Sequence, residues 1–158
     1  MRAAVLSCVV LVSSACQRSG CGTTGCVPAF DLMFAQPLTQ PGDYQLTLTV
    51  DAAPTRCTTQ LPEPGWGAGC EADHVSLVHS EAVNGWQLEG LTVRSGQVQR
   101  VGLTVSRGGA RLAELTTTPA YEDWFVNGAE CDARPCRYAS ATVLLDPQAG
   151  VAHHRAPQ

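Results

Sequence analysis

The chain has 158 residues, with 10 basic against 14 acidic side chains, and only 15% of its residues are charged. All the basic residues are arginine and none of them cluster. That balance argues against a nucleic-acid partner and leaves no basic face to sit on an anionic bilayer. The length suits one ordinary domain with a real core.

The first element is an export segment. Arg2 precedes an apolar run over residues 3–12, and small residues then lead to Cys16. A short positive start, an apolar run of about 7–15 residues and a small-residue cleavage site make a secretory signal. The run is too short to span a bilayer core, which takes roughly 20 apolar residues. Ser13-Ser14-Ala15-Cys16 resembles the lipobox of bacterial lipoproteins, with Ser13 where leucine is usual. The resemblance implies that Cys16 becomes the first mature residue and carries a diacylglycerol thioether and an N-acyl chain. Gln17 is not the aspartate that retains some such proteins at the inner membrane, so in a Gram-negative source the resemblance implies the outer membrane. Ser13 and Ala15 also suit the ordinary signal peptidase, which would give a secreted protein. Lipid anchoring is firm because each buried methylene contributes about 0.8 kcal/mol and more than one acyl chain is present.

Cleavage before Cys16 leaves six cysteines besides the lipidated one: Cys21, Cys26, Cys57, Cys70, Cys131 and Cys136. An even set in an oxidising compartment implies three disulfides. Fifteen connectivities are open; the first expectation is the all-local one, 21–26, 57–70 and 131–136.

Residues 16–27 read as the lipidated terminus and a short polar tether. From Pro28 the pattern turns to period two. Phe30, Leu32 and Phe34 alternate with Asp31, Met33 and Ala35. After Pro41-Gly42, Tyr44, Leu46, Leu48 and Val50 alternate with Gln45, Thr47 and Thr49. Such alternation marks strands with one buried face. Further strands are expected over 55–61, 74–83, 86–93, 98–106, 110–117 and 137–145. Asn84-Gly85 and Gly108-Gly109 are dipeptides that tolerate the positive φ angles of two-residue hairpins. Closing the second hairpin at Gly108-Gly109 sets Leu103 opposite Glu114, so a bulge or a longer turn is expected there. No window after the signal carries a helical stripe.

These elements predict an all-β fold, an antiparallel β-sandwich of about 8 strands stapled by disulfides, over residues 28–146; a small β-barrel is the alternative. Pro41-Gly42-Asp43-Tyr44-Gln45-Leu46-Thr47-Leu48 resembles the P-G-x-Y-x-L-x-L strand of immunoglobulin-like and carboxypeptidase-regulatory-like sandwich domains, and so implies the same architecture. Residues 147–158 are small, polar and proline-bearing, and are expected to be a disordered tail.

Candidate chemistry is sparse. His74 and His79 have Asp73 and Glu81 beside them, but strand parity puts His79 with Val75 and Leu77 and sends His74 to the other face. Two ligands on opposite faces cannot grip one ion, and His153-His154 lacks the four fixed ligands of a structural zinc site. Neither C-x4-C pair has the spacing of a redox motif, and neither G-x-S-x-G nor H-E-x-x-H occurs. No cofactor, metal or catalytic residue is assigned. The loop Leu61-Pro62-Glu63-Pro64-Gly65-Trp66 cannot continue a strand, and a 57–70 disulfide would hold its base. Trp66 there either stacks on a ligand such as a sugar ring or folds back over one end of the sandwich. Tyr121-Glu122-Asp123-Trp124-Phe125 is expected to serve core and corner packing. The expected role is therefore non-catalytic: an envelope lipoprotein attached to the membrane by its N-terminal lipid, with an envelope protein or a glycan as partner and no nucleic acid.

Overall fold

The computed structural model describes residues 25–65 and 67–146. Cys16, Cys21, Trp66 and the tail from residue 147 lie outside the described residues. Within them the chain forms ten strands: β1 (Ala29–Leu38), β2 (Gly42–Val50), β3 (Ala53–Leu61), β4 (Gly69–Cys70), β5 (Val75–Ala82), β6 (Gly85–Val93), β7 (Val101–Arg107), β8 (Ala110–Thr117), β9 (Glu122–Trp124) and β10 (Cys136–Val143). Two five-stranded sheets, ordered β5-β6-β1-β10-β9 and β4-β3-β2-β7-β8, make an open sandwich and not a closed barrel. Every ladder is antiparallel except β1 with β10, which run parallel from Ala29↔Tyr138 to Phe34↔Val143. The eight strands expected from alternation are all present, and β4 and β9 are short additions at the sheet edges.

Period two produces this core directly. Tyr44, Leu46 and Leu48 of β2 are buried while Gln45 and Thr47 face solvent. Opposite them, Phe30 and Leu32 of β1, Leu91 and Val93 of β6, and Val143 of β10 are buried. Each fully buried Leu or Phe contributes about 1.5–3 kcal/mol, far more than any exposed pair on the outer faces. The Tyr44 hydroxyl stays inside the apolar layer by donating to the Gln40 carbonyl, 2.8 Å away and four residues upstream. That geometry is a tyrosine corner, and it pins the chain where it crosses from the first sheet to the second.

The turns divide into one confirmed, one shifted and one that alternation does not signal. Gly108 and Gly109, at φ 55° and 84°, form the β7–β8 turn as expected. The expected bulge is there too: Ser106 pairs with Arg111 and Val105 with Ala113, so Leu112 is the extra residue. In the β5–β6 hairpin the residues between the Ala82↔Gly85 pair are Val83 and Asn84, not Asn84-Gly85. The positive φ, 109°, falls on Gly85 as the first residue after the turn. The cause is register, because β6 must align Val93 with Val75 to bury both.

The β2–β3 turn is Asp51-Ala52, with φ of 46° and 72° and no glycine. Asp51 is compensated: its Oδ1 accepts the backbone N–H groups of Gln99 and Arg100 at 2.9 and 2.8 Å. Its own N–H donates to the Arg100 carbonyl at 3.0 Å. The left-handed conformation of Ala52 costs an L-residue about 1–2 kcal/mol. Glycine removes that strain but widens the unfolded ensemble. Ala52→Gly is therefore expected to raise stability by about 0.5–1 kcal/mol in urea unfolding. An unchanged or lower midpoint would show the turn to be unstrained.

Two disulfides close on described partners. Cys57–Cys70 is the local bridge expected from sequence, 13 residues apart, and it sits in the β3–β4 ladder with Cys57 fully buried. Cys26–Cys136 spans 110 residues and replaces the expected local bridges 21–26 and 131–136. The parallel β1–β10 ladder explains the exchange. Setting Ala29 beside Tyr138 carries Cys26, just upstream, to Cys136, with the Cα atoms 5.5 Å apart. Cys131 is disulfide-bonded as well.

Candidate functional site

A polar cleft lies on the outer face of the second sheet, beneath the loop between Cys57 and Cys70. It encloses about 450 Å³, and its side-chain lining includes Asp43, Gln45, Thr58, Gln60 and Ser106. Alternation supplies the floor: the residues that β2, β3 and β7 turn away from the core at this end are amides, hydroxyls and one carboxylate, Asp43. Gly65 and Gly67, on either side of Trp66, form part of the roof.

The loop is held from three directions. Disulfide 57–70 fixes its base, reinforced by Glu71, whose N–H donates to the Arg56 carbonyl at 2.9 Å while its carboxylate accepts the Arg56 N–H at 3.2 Å. The Thr58 hydroxyl donates to the Gly67 carbonyl at 3.3 Å, and Ala68 N–H donates to the Gly65 carbonyl at 2.9 Å. On the far side the Pro62 carbonyl accepts the Trp86 N–H at 2.8 Å, which ties the loop to the β5–β6 hairpin. A cleft lined by amides, hydroxyls and the single carboxylate of Asp43 can donate and accept hydrogen bonds to a polyhydroxylated ligand.

His74 and His79 lie elsewhere. His74 precedes β5, beside Glu71 and Ala72 in a separate shallow depression. His79 points between the sheets, as parity predicts, and its Nε2 is 3.1 Å from Thr59 Oγ1 on β3. Burial lowers the His79 pKa below its ordinary 6.5. The folded state thus binds the proton less readily than the unfolded chain, so this contribution to stability is complete above 6.5 and is lost as pH falls through the lower folded value. Unfolding midpoints are expected to fall from pH 7 to pH 5, and His79→Gln should remove part of that slope. A slope identical in the variant would assign the acid sensitivity to other groups. Among the described residues no three His, Cys, Asp or Glu side chains converge as a metal site.

The segment from Tyr121 to Phe125 departs from expectation. Tyr121 does pack at a corner, with its hydroxyl donating to the Ser95 carbonyl at 2.9 Å and Arg137 stacked 4.8 Å from its ring centroid. Trp124 and Phe125 do not join the core; they are exposed. The reason is position: β9 is a three-residue edge strand whose only ladder is with β10. No family model, no curated protein and no solved structure matches the chain.

Proposed function

We propose that this chain is a lipid-anchored envelope lipoprotein whose sandwich acts by non-catalytic contact with other envelope molecules. The observation that carries the reading is the export segment ending in Cys16, followed by a domain whose cysteines pair. Disulfides persist in oxidising compartments, so the staples agree with the address written in the first sixteen residues. Cys16 supplies the anchor through its lipid, and the arginine-only, dispersed positive charge adds nothing to attachment. In a Gram-negative cell the destination is the outer membrane. Cys16→Ser is expected to move the protein from the membrane fraction to the soluble or secreted fraction, measured by fractionation and by loss of palmitate label. A variant that stays membrane-bound would sink the anchor.

A second reading is favoured by the cleft beneath the 57–70 loop: ligand binding, with a neutral glycan as the ligand class. Its amide and hydroxyl groups, with the carboxylate of Asp43, fit sugar hydroxyls, and the sequence of the same loop carries a tryptophan, Trp66, a residue type that stacks on sugar rings. Glycan-array binding that disappears in both Gln60→Ala and Trp66→Ala would support this reading, and a blank array would leave protein contact as the function.

A further inference from the structure

Around Trp124, large apolar side chains gather in the open. Trp124 and Val27 are each 63% exposed, Tyr138 41%, Phe125 39% and Val126 37%. Four of these residues and Cys136 enclose a shallow hollow of about 220 Å³. The ladder places them together: Trp124 is opposite Cys136 and Glu122 opposite Tyr138, so all four share one face of the first sheet. The patch is also held in shape. After β9, Asn127 donates its backbone N–H and its side-chain amide to the two carboxylate oxygens of Asp132, both at 2.8 Å. The Tyr138 hydroxyl donates to Asp31 at 2.7 Å, which fixes its ring.

This patch is also where the N-terminal segment joins the domain. Disulfide 26–136 clamps the chain to its centre, and Val27 is part of it. Cys16 is ten residues upstream of Cys26, a length of chain that spans at most about 36 Å. A lipid on Cys16 therefore tethers the domain to the bilayer at the patch itself, because the chain from the lipid enters the fold at Cys26 and Val27. Tryptophan and tyrosine, each with an apolar body and a polar handle, are the residues that settle at the boundary between headgroups and acyl chains. Glu122 lies on the patch face opposite Tyr138 and is exposed, which suits zwitterionic headgroups better than anionic ones.

We propose that the Val27–Trp124–Tyr138 patch is a membrane-contact surface that rests at the headgroup–acyl boundary of the bilayer in which the Cys16 lipid is inserted. The proposal rests on the anchor reading, and it adds an orientation: the β9–β10 edge faces the membrane, and the cleft beneath the 57–70 loop is carried on the other sheet. A surface of this kind would otherwise be an unusual exposed cluster on a monomer.

The test uses the full lipidated protein in phosphatidylcholine vesicles whose acyl chains carry bromine close to the headgroup, a contact quencher of tryptophan. Trp66→Phe/Trp86→Phe leaves Trp124 as the sole tryptophan, and Trp66→Phe/Trp124→Phe leaves Trp86, on β6, three strands away in the same sheet. Trp124 emission is expected to be lost in brominated relative to unbrominated vesicles, while Trp86 emission holds. A chain that co-floats with the vesicles yet keeps full Trp124 emission would overturn the contact surface and leave the anchor standing. Equal quenching of both tryptophans would overturn the orientation. A chain that does not co-float would remove the anchor, and this inference with it.

Discussion

Full reduction of the folded protein is expected to lower its stability by at least about 8 kcal/mol, the sum over the two bridges with described partners on the chain-entropy model of a cross-link. The two bridges with described partners contribute unequally. Cys57–Cys70 closes a short loop, 13 residues apart, which is worth about 3 kcal/mol. Cys26–Cys136 closes a loop across 110 residues, worth about 5 kcal/mol when it is the link that closes it. Domains of this size usually hold a total of about 5–15 kcal/mol, so the reduced chain should sit close to its unfolding midpoint or beyond it at growth temperature. Urea unfolding with and without a phosphine reductant reads the difference, and Cys57→Ser/Cys70→Ser should account for about 3 kcal/mol of it. A reduced protein within 1 kcal/mol of the oxidised one would mean that the staples are ornamental, and the link between fold and compartment would be lost.

How much of this was legible in the chain depended on whether the signal was local. The β2 strand was readable residue by residue, because alternation of Tyr44, Leu46 and Leu48 with Gln45 and Thr47 is what a half-buried strand requires. The Leu112 bulge was readable too, since turn closure at two glycines put an acid opposite a core leucine. Disulfide 57–70 was within reach because its two strands are neighbours through one loop. Disulfide 26–136 was not, because it depends on β1 and β10 pairing in parallel, and nothing in either strand announces its neighbour. The exposed Trp124 failed for a related reason. Tyr121-Glu122-Asp123-Trp124-Phe125 has the composition of core, and only its place on an outermost strand turns Trp124 and Phe125 outward. The Asp51-Ala52 turn carried no glycine or asparagine, and its support comes from Gln99 and Arg100, nearly fifty residues on.

Gly90→Ala is expected to cost the domain at least 3 kcal/mol, the upper end of what one added methyl costs in a packed core. The residue sits in the middle of β6, the strand that β5 and β1 flank. On the β5 side, Val78 pairs with Gly90 and His79 with Leu88, so Glu89 is squeezed out of the ladder. On the β1 side, the register jumps from Met33↔Gly90 to Leu38↔Leu88. That irregularity is what lets Leu88 and Leu91 both face the core, where each is fully buried, although strict alternation would separate them. The tight approach of the backbones is the consequence. A Cβ on residue 90 would lie 2.2 Å from the Leu32 carbonyl oxygen and 3.0 Å from Met33 Cα. Both are main-chain atoms of a central strand, with no rotamer to yield, so relief requires β1 and β6 to separate and opens the layer that Phe30, Leu32 and Leu91 fill. The contrast is Gly102, whose added Cβ would meet only Thr49 Cβ at 3.8 Å, an ordinary contact. Gly102→Ala should therefore leave the unfolding free energy nearly unchanged or raise it slightly, while Gly90→Ala lowers it by about 3 kcal/mol or more. Equal effects at the two positions would mean that β6 is free to move away from β1, and that the bulge is not what holds Leu88 and Leu91 on one face.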